Sequence, residues 1–152
     1  MSQITTAVPI LPAMSAADVD KVGRLESQLR AAEQVPISTT HHFHAGMYAR
    51  TIRIPAGVVI TGALIRISTM LILSGHATVF IGGETIELVG YHVLPASAGR
   101  KQAFIAHADT DLTMLFPTCA TTVEEAEAEF TGETDLLMSR QQPGNLTIIT
   151  GE

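Results

Sequence analysis

The chain has 152 residues, 46% of them apolar and 16% charged, with a net charge of −6 at pH 7. One ordinary domain with short arms fits that length, and the apolar share excludes disorder of the whole chain. The acidic balance argues against nucleic-acid binding, and so low a charge content points to surface hidden in a homo-oligomer.

Cys119 is the one cysteine, which excludes a disulfide framework and a cysteine-based zinc site; it reads as a small buried hydrophobe. No apolar run approaches the roughly 20 residues that span a bilayer. The N-terminus has no basic region followed by an apolar stretch, so no secretory signal is expected. The expectation is therefore a cytoplasmic protein with no membrane partner.

Residues 1–14 hold two prolines and no period, and read as an arm. Ser15, with Asp18 three positions on, is a helix N-cap followed by a first-turn acid. Val19, Val22, Leu25 and Leu29 recur at helical spacing, which predicts an amphipathic helix over residues 16–34, stopped by Pro36. Residues 50–116 then read as about eight short strands without a helix. The segments are 50–54, 58–67, 70–73, 77–81, 84–88, 91–94, 101–106 and 112–116. A turn is expected at Ser74-Gly75. Gly82-Gly83 between two strand-like runs predicts a tight hairpin with positive φ. Beyond Pro117, Thr121 or Thr122 caps a second helix. Val123, Ala126 and Phe130 share its buried face, Glu124, Glu125, Glu127 and Glu129 its solvated one, and Gly132 ends it. Residues 146–149 read as an edge strand, one that a neighbouring subunit could accept. The domain division expected is residues 1–40 for arm and helix, 41–118 for a β-barrel, and 119–152 for a helix and tail. Short, evenly spaced strands mean a sandwich or barrel, most simply a jelly roll.

Several short motifs follow one another along the chain. They are Tyr48-Ala49-Arg50, Ile54-Pro55-Ala56-Gly57, Thr61-Gly62 and Ile72-Leu73-Ser74-Gly75. Gly99-Arg100-Lys101-Gln102 and Ala106-His107-Ala108-Asp109-Thr110 come later, and the run from Thr122 to Glu129 closes the series. In order and spacing they resemble the cupin family, and more narrowly a group of small phage- and prophage-associated cupin-like proteins. The resemblance covers residues 41–130. It implies an all-β, cupin-like jelly-roll barrel with a flanking N-terminal helix and a short C-terminal helix. It also implies metal-ligand positions, which here fall on Ala63, Ile65, Ser68 or Thr69, and Gln102. Alkyl groups do not bind metals, so no cofactor is expected at this place. Residues two apart on a strand share a face. Ala63 with Ile65, Gln102 with Phe104, and Met114 between Leu112 and Phe116 are thus expected to line an apolar barrel interior.

Other clusters carry alternative chemistry. His42 and His44 have the spacing to share a strand face, and with His92 or His107 would complete a displaced site for a divalent transition metal. The bland reading of residues 41–44 is an exposed loop. His76 reads as a surface turn residue and His92 as structural. His107 with Asp109 has the makings of a general base. Arg50, Arg53 and Arg66 read as partners for acids across a subunit interface, or as holders of an anion. The first functional expectation is a non-catalytic phage- or prophage-derived accessory or structural protein. It would act as a homo-oligomer, with other phage proteins as further partners, in the host cytoplasm or in a virion. The alternatives are a metal-dependent cupin enzyme using the displaced histidines, and a small-molecule binding module with an apolar pocket.

Overall fold

The computed structural model describes residues 11–151; the part of the expected arm in residues 1–10 lies outside them. The first helix, α1 (Ala16–Ala31), starts where its cap predicts, with the Ser15 side chain accepting from the Asp18 N–H. It stops three residues short of the expected end. Gln34 folds back, and its Nε2 donates to the carbonyls of Leu29 at 2.8 Å and Ala32 at 2.9 Å. The last carbonyls are thereby satisfied without another helical turn.

Eight strands follow or flank the barrel: β1 (Thr39–His44), β2 (Met47–Ile54), β3 (Val59–Thr61), β4 (Thr69–Phe80), β5 (Thr85–Ala96), β6 (Ala103–Ala106), β7 (Thr110–Pro117) and β8 (Asn145–Ile149). Ahead of β8 come α2 (Val123–Phe130), a 3₁₀ turn (Thr134–Leu136) and the short α3 (Met138–Gln141). The strand order is β3-β6-β4-β7-β2-β1-β8, with β5 paired to β4. One edge of β4 meets β5 along its whole length; the other meets β7 through Met70–Ser74 and β6 through Ala77–Phe80. That division curls the sheet, so that the β6-β3 branch and the β7-β2-β1-β8 branch face each other over one core. The fold is an all-β jelly-roll half-barrel with small flanking helices.

The strands are fewer and longer than expected between residues 50 and 116, because Ser74-Gly75 is not a turn. β4 runs straight through it as a 12-residue strand, and β5 likewise joins two expected segments. Gly75, at φ +148°, is where β4 changes partner. A Cβ there would stand 2.5 Å from Thr110 Oγ1 and 2.7 Å from Thr110 Cα, so only glycine lets β7 begin so close. His76 accordingly lies within β4, its N–H donating to Thr110 Oγ1 at 3.1 Å, and is not a turn residue. The Gly82-Gly83 hairpin stands as expected, with φ of +101° and +70°. The expected strand 58–67 shrinks to β3. Beyond it the Leu64 N–H donates to Glu133 Oε1 and the Arg66 N–H to the Phe130 carbonyl. The C-terminal segment takes the donors that a strand neighbour would have taken.

Alternate residues point inward, Leu71, Leu73, Ala77 and Val79 on β4 and Leu112, Met114 and Phe116 on β7, and all are buried. Helix α2, capped by Thr122, lays Ala126 and Phe130 on this core, with Phe130 edge-on to Phe116. Glu127 is a correction: it is 1% exposed, not on a solvated face. Cys119 is another, being exposed. β8 pairs in parallel with β1 of its own chain, so its partner here is not a neighbouring subunit. Among the described residues no helix is long and apolar enough to cross a membrane.

Candidate functional site

The barrel interior is not filled. A partly open cavity of about 340 Å3 runs from the curled sheet to the end of α1, a volume within the usual range for small-molecule sites. Its floor is apolar, from Leu71 of β4, Phe104 of β6 and Leu112 and Met114 of β7. Ala32 to Val35, after α1, and Gln141 of α3 line it and are exposed, which places the mouth between these segments. Gln142 ties the two sides of this mouth together. Its Oε1 accepts from the Ile37 N–H at 2.7 Å, and its Nε2 donates to the Val35 carbonyl at 3.2 Å.

The structure places Ala63, Ile65, Gln102, Phe104 and Met114 on the wall of this cavity. Backbone hydrogen bonds bring the first three together. The Gly62 N–H donates to the Gln102 carbonyl and the Ile65 N–H to the Arg100 carbonyl, both at 2.8 Å. The segment after β3 is thereby laced to the segment before β6. Arg100 also lines the cavity, and sequence reasoning missed it. It stands in a glycine turn, where any arginine reads as exposed. Here it is 2% exposed. Its Nη1 donates to the Ser97 carbonyl at 2.8 Å, and its Nη2 to Thr69 Oγ1 at 2.7 Å and toward Met114 Sδ at 3.8 Å. Burial lowers its pKa to about 10. Gln102 is 4% exposed, and its Nε2 has no hydrogen-bond partner.

Two other cations stand at or beside the site, Lys101 buried and Arg50 half-buried, and both are neutralised. Lys101 Nζ reaches Glu133 at 2.8 Å and Glu26 of α1 at 3.1 Å. Arg50 Nη1 reaches Glu127 Oε2 at 3.0 Å, its Nη2 donates to Ser139 Oγ, and its guanidinium lies over the Phe130 ring. Ser139 also donates to Glu127, and Arg140 Nε donates to its other oxygen at 2.8 Å. Burial pushes the Glu127 carboxyl up. The hydrogen bonds from Ser139, Arg140 and Arg50, with the Arg50 charge, outweigh burial and hold it below the usual carboxylate range. The expected intersubunit arginine pairs are thus intramolecular. Arg53 meets Asp111 at 3.3 Å and Asp109 at 3.6 Å, and Arg66 donates to the Ala128 and Glu129 carbonyls.

The histidines do not converge. His41 is no loop residue: it is 1% exposed on β1, where its Nδ1 accepts from the Tyr48 hydroxyl at 2.6 Å and its Nε2 donates to Asn145 Oδ1 at 2.8 Å. His42 is exposed beside it, and His44 Nδ1 meets Thr150 Oγ1. β7 and β2 separate β1 from β4, whose partner strand β5 carries His92, bonded to the Val89 carbonyl. His107 follows β6, bonded to Thr78 Oγ1 and packed on the His76 ring. Among the described residues no three His, Cys, Asp or Glu side chains are placed to hold a metal. Asp109 pairs with Arg53 and accepts from the Ala56 N–H, so it does not orient His107. The residues at the metal positions that the sequence resemblance implies do not fit such an ion either. Ala63 and Ile65 offer alkyl groups, Ser68 is exposed, and Thr69 already accepts from a guanidinium that would repel a second cation.

No protein-family model matches this chain, and no curated protein matches it. Solved structures do. A cupin superfamily protein from Desulfitobacterium hafniense is 16% identical, over 57% of this chain and 82% of its own, with a TM-score of 0.45. The cupin domain of an XRE-family transcriptional regulator from Enterobacter cloacae is 12% identical, over 53% of this chain and 97% of its own, with a TM-score of 0.44. A salicylate 1,2-dioxygenase from Pseudaminobacter salicylatoxidans is 17% identical, over 75% of this chain but 35% of its own, with a TM-score of 0.47.

Proposed function

We propose that this chain is a small-molecule binding module whose ligand occupies the barrel cavity. The observation that carries the reading is the cavity of about 340 Å3, apolar on its floor and polar at two buried points, Arg100 and Gln102. A void of this size between packed side chains forfeits contacts that a ligand restores. The test uses neutral apolar probes, toluene and indole, with thermal unfolding as the readout. Both are expected to raise the melting temperature with increasing concentration, since binding to the folded state alone stabilises it. Ala63→Phe and Ile65→Phe fill the cavity and are expected to abolish the rise. No rise in the natural chain, or an equal rise in both variants, overturns the reading.

A second reading, self-association, has its own observation. Val89, Tyr91 and Val93 are 62%, 68% and 49% exposed on one face of β5. Among the described residues, the free edge of β5 carries only the bridge between Ala96 and Leu11. A second copy of this chain would cover that row, and the low surface charge supports it. The association with phage proteins, in a virion or in a host cytoplasm, rests on the sequence resemblance.

A further inference from the structure

We propose that the cavity takes a small apolar carboxylate, held at its charged end by Arg100 and Gln102. The inference rests on reading the cavity as a binding site, and it names the class of ligand. Of three cations at or beside the cavity, buried Arg100 and Lys101 and half-buried Arg50, the chain treats one differently. Lys101 has two carboxylates and Arg50 has one. Among the described residues no acid lies within ion-pair distance of Arg100, and its three partners are a carbonyl, a hydroxyl and a thioether, all neutral. A guanidinium carries five N–H donors, so these contacts leave capacity unused. A buried charge without a counter-ion is costly, and that cost falls when an anion arrives.

Gln102 adds an independent sign. Its Nε2 is buried and lacks an acceptor among the described residues. Both unmatched groups are therefore donors, and both line the same cavity. The component these two donors lack is an acceptor, and the unpaired charge of Arg100 favours one that is negative. Around them the wall is hydrocarbon, from Ile65, Leu71, Phe104 and Leu112, while the charged lining residues are either exposed, as Arg30 and Glu33 are, or already paired, as Glu26 is with Lys101 and Arg50 with Glu127; an apolar surround disfavours a bare inorganic anion. A carboxylate matches the planar fork of a guanidinium, and an alkyl or aryl body matches the wall.

The test is calorimetric titration of the full chain with benzoate and hexanoate, each against its neutral analogue, benzamide and hexanamide. Carboxylates are expected to bind at least about tenfold more tightly than amides, the usual scale of a charge-assisted hydrogen bond. Arg100→Met is expected to remove that preference, and Gln102→Leu to reduce it severalfold. Circular dichroism checks the fold of each variant. Arg100→Lys, which keeps the charge and loses the fork, replaces Arg100→Met if the latter does not fold, and is expected to weaken carboxylates severalfold. Amides binding as tightly as carboxylates, or a preference unchanged in the Arg100 and Gln102 variants, overturns the inference while the cavity reading stands. Toluene and indole stabilising the protein while no carboxylate binds has the same meaning. If no probe of any kind binds, the cavity reading falls as well.

Discussion

Arg50 and Glu127 stand 77 positions apart and meet at 3.0 Å inside the protein. Glu127 is buried, and removing it leaves Arg50 without its counter-charge. Glu127→Leu is expected to cost on the order of 3 kcal/mol in urea unfolding, and adding Arg50→Met to recover part of the loss. The same carboxyl makes the fold sensitive to acid. Its folded pKa lies below the usual 4.5, so its contribution is present above that value and is lost as pH falls through the folded pKa. His41 acts earlier. Burial lowers its pKa below 6.5, against the opposing effect of its Asn145 hydrogen bond. The unfolded state therefore takes up a proton first, and stability begins to fall as pH drops below 6.5. None of this was legible in the sequence. Glu127 sits in a run of glutamates, and its burial depends on Arg50, Ser139 and Arg140, which no local pattern connects to it. Arg100 was hidden for the same reason. The alkyl positions on the cavity wall could be named, because a period of two needs only neighbours in sequence.

At the scale of elements, what could be read was whatever local chemistry decides. Ser15 and Thr122 cap their helices, and Gly82-Gly83 turns its hairpin, because each acts on its nearest residues. What could not be read was decided by distant partners. Ser74-Gly75 has turn composition, yet the glycine serves the approach of Thr110 against β4. β3 is short because Glu133 and Phe130 claim the donors that follow it. Gly75→Ala tests the first point. The added Cβ meets backbone of β7 as well as the Thr110 side chain, so the clash cannot be relieved by a rotamer change. A loss of about 2–4 kcal/mol is expected, read from the urea midpoint at unchanged slope. A Gly83→Ala control has open space around it and the strain of positive φ alone, and is expected to cost less.

For the whole molecule, the open question of surface is concentrated on β5. Val89, Tyr91 and Val93 repeat every second residue, so they form one stripe beside an edge that pairs with nothing from Thr85 to Leu94 among the described residues. Light scattering during size exclusion is expected to give a mass above 16.2 kDa for the natural chain. Tyr91→Lys with Val93→Lys is expected to bring it down to the monomer, as charge does on natural edge strands. A natural chain already monomeric removes the self-association reading and leaves the cavity untouched, since no residue of this stripe lines it.

The bond from Asn145 to His41 also sets an order of events. It spans 104 residues of chain, and β8 joins β1 across the same interval. Closing so long a loop is entropically costly until the barrel has already brought its ends near. The barrel is therefore expected to form first, with the imidazole of His41 awaiting its second partner and the last strand zipping on afterwards. Contacts made after the rate-limiting barrier guard the folded state against opening and leave the speed of folding alone. Asn145→Ala is accordingly expected to speed unfolding and leave the refolding rate unchanged in stopped-flow measurements, the behaviour of a C-terminal strand that latches the lifetime of the closed barrel and not the speed at which it is reached.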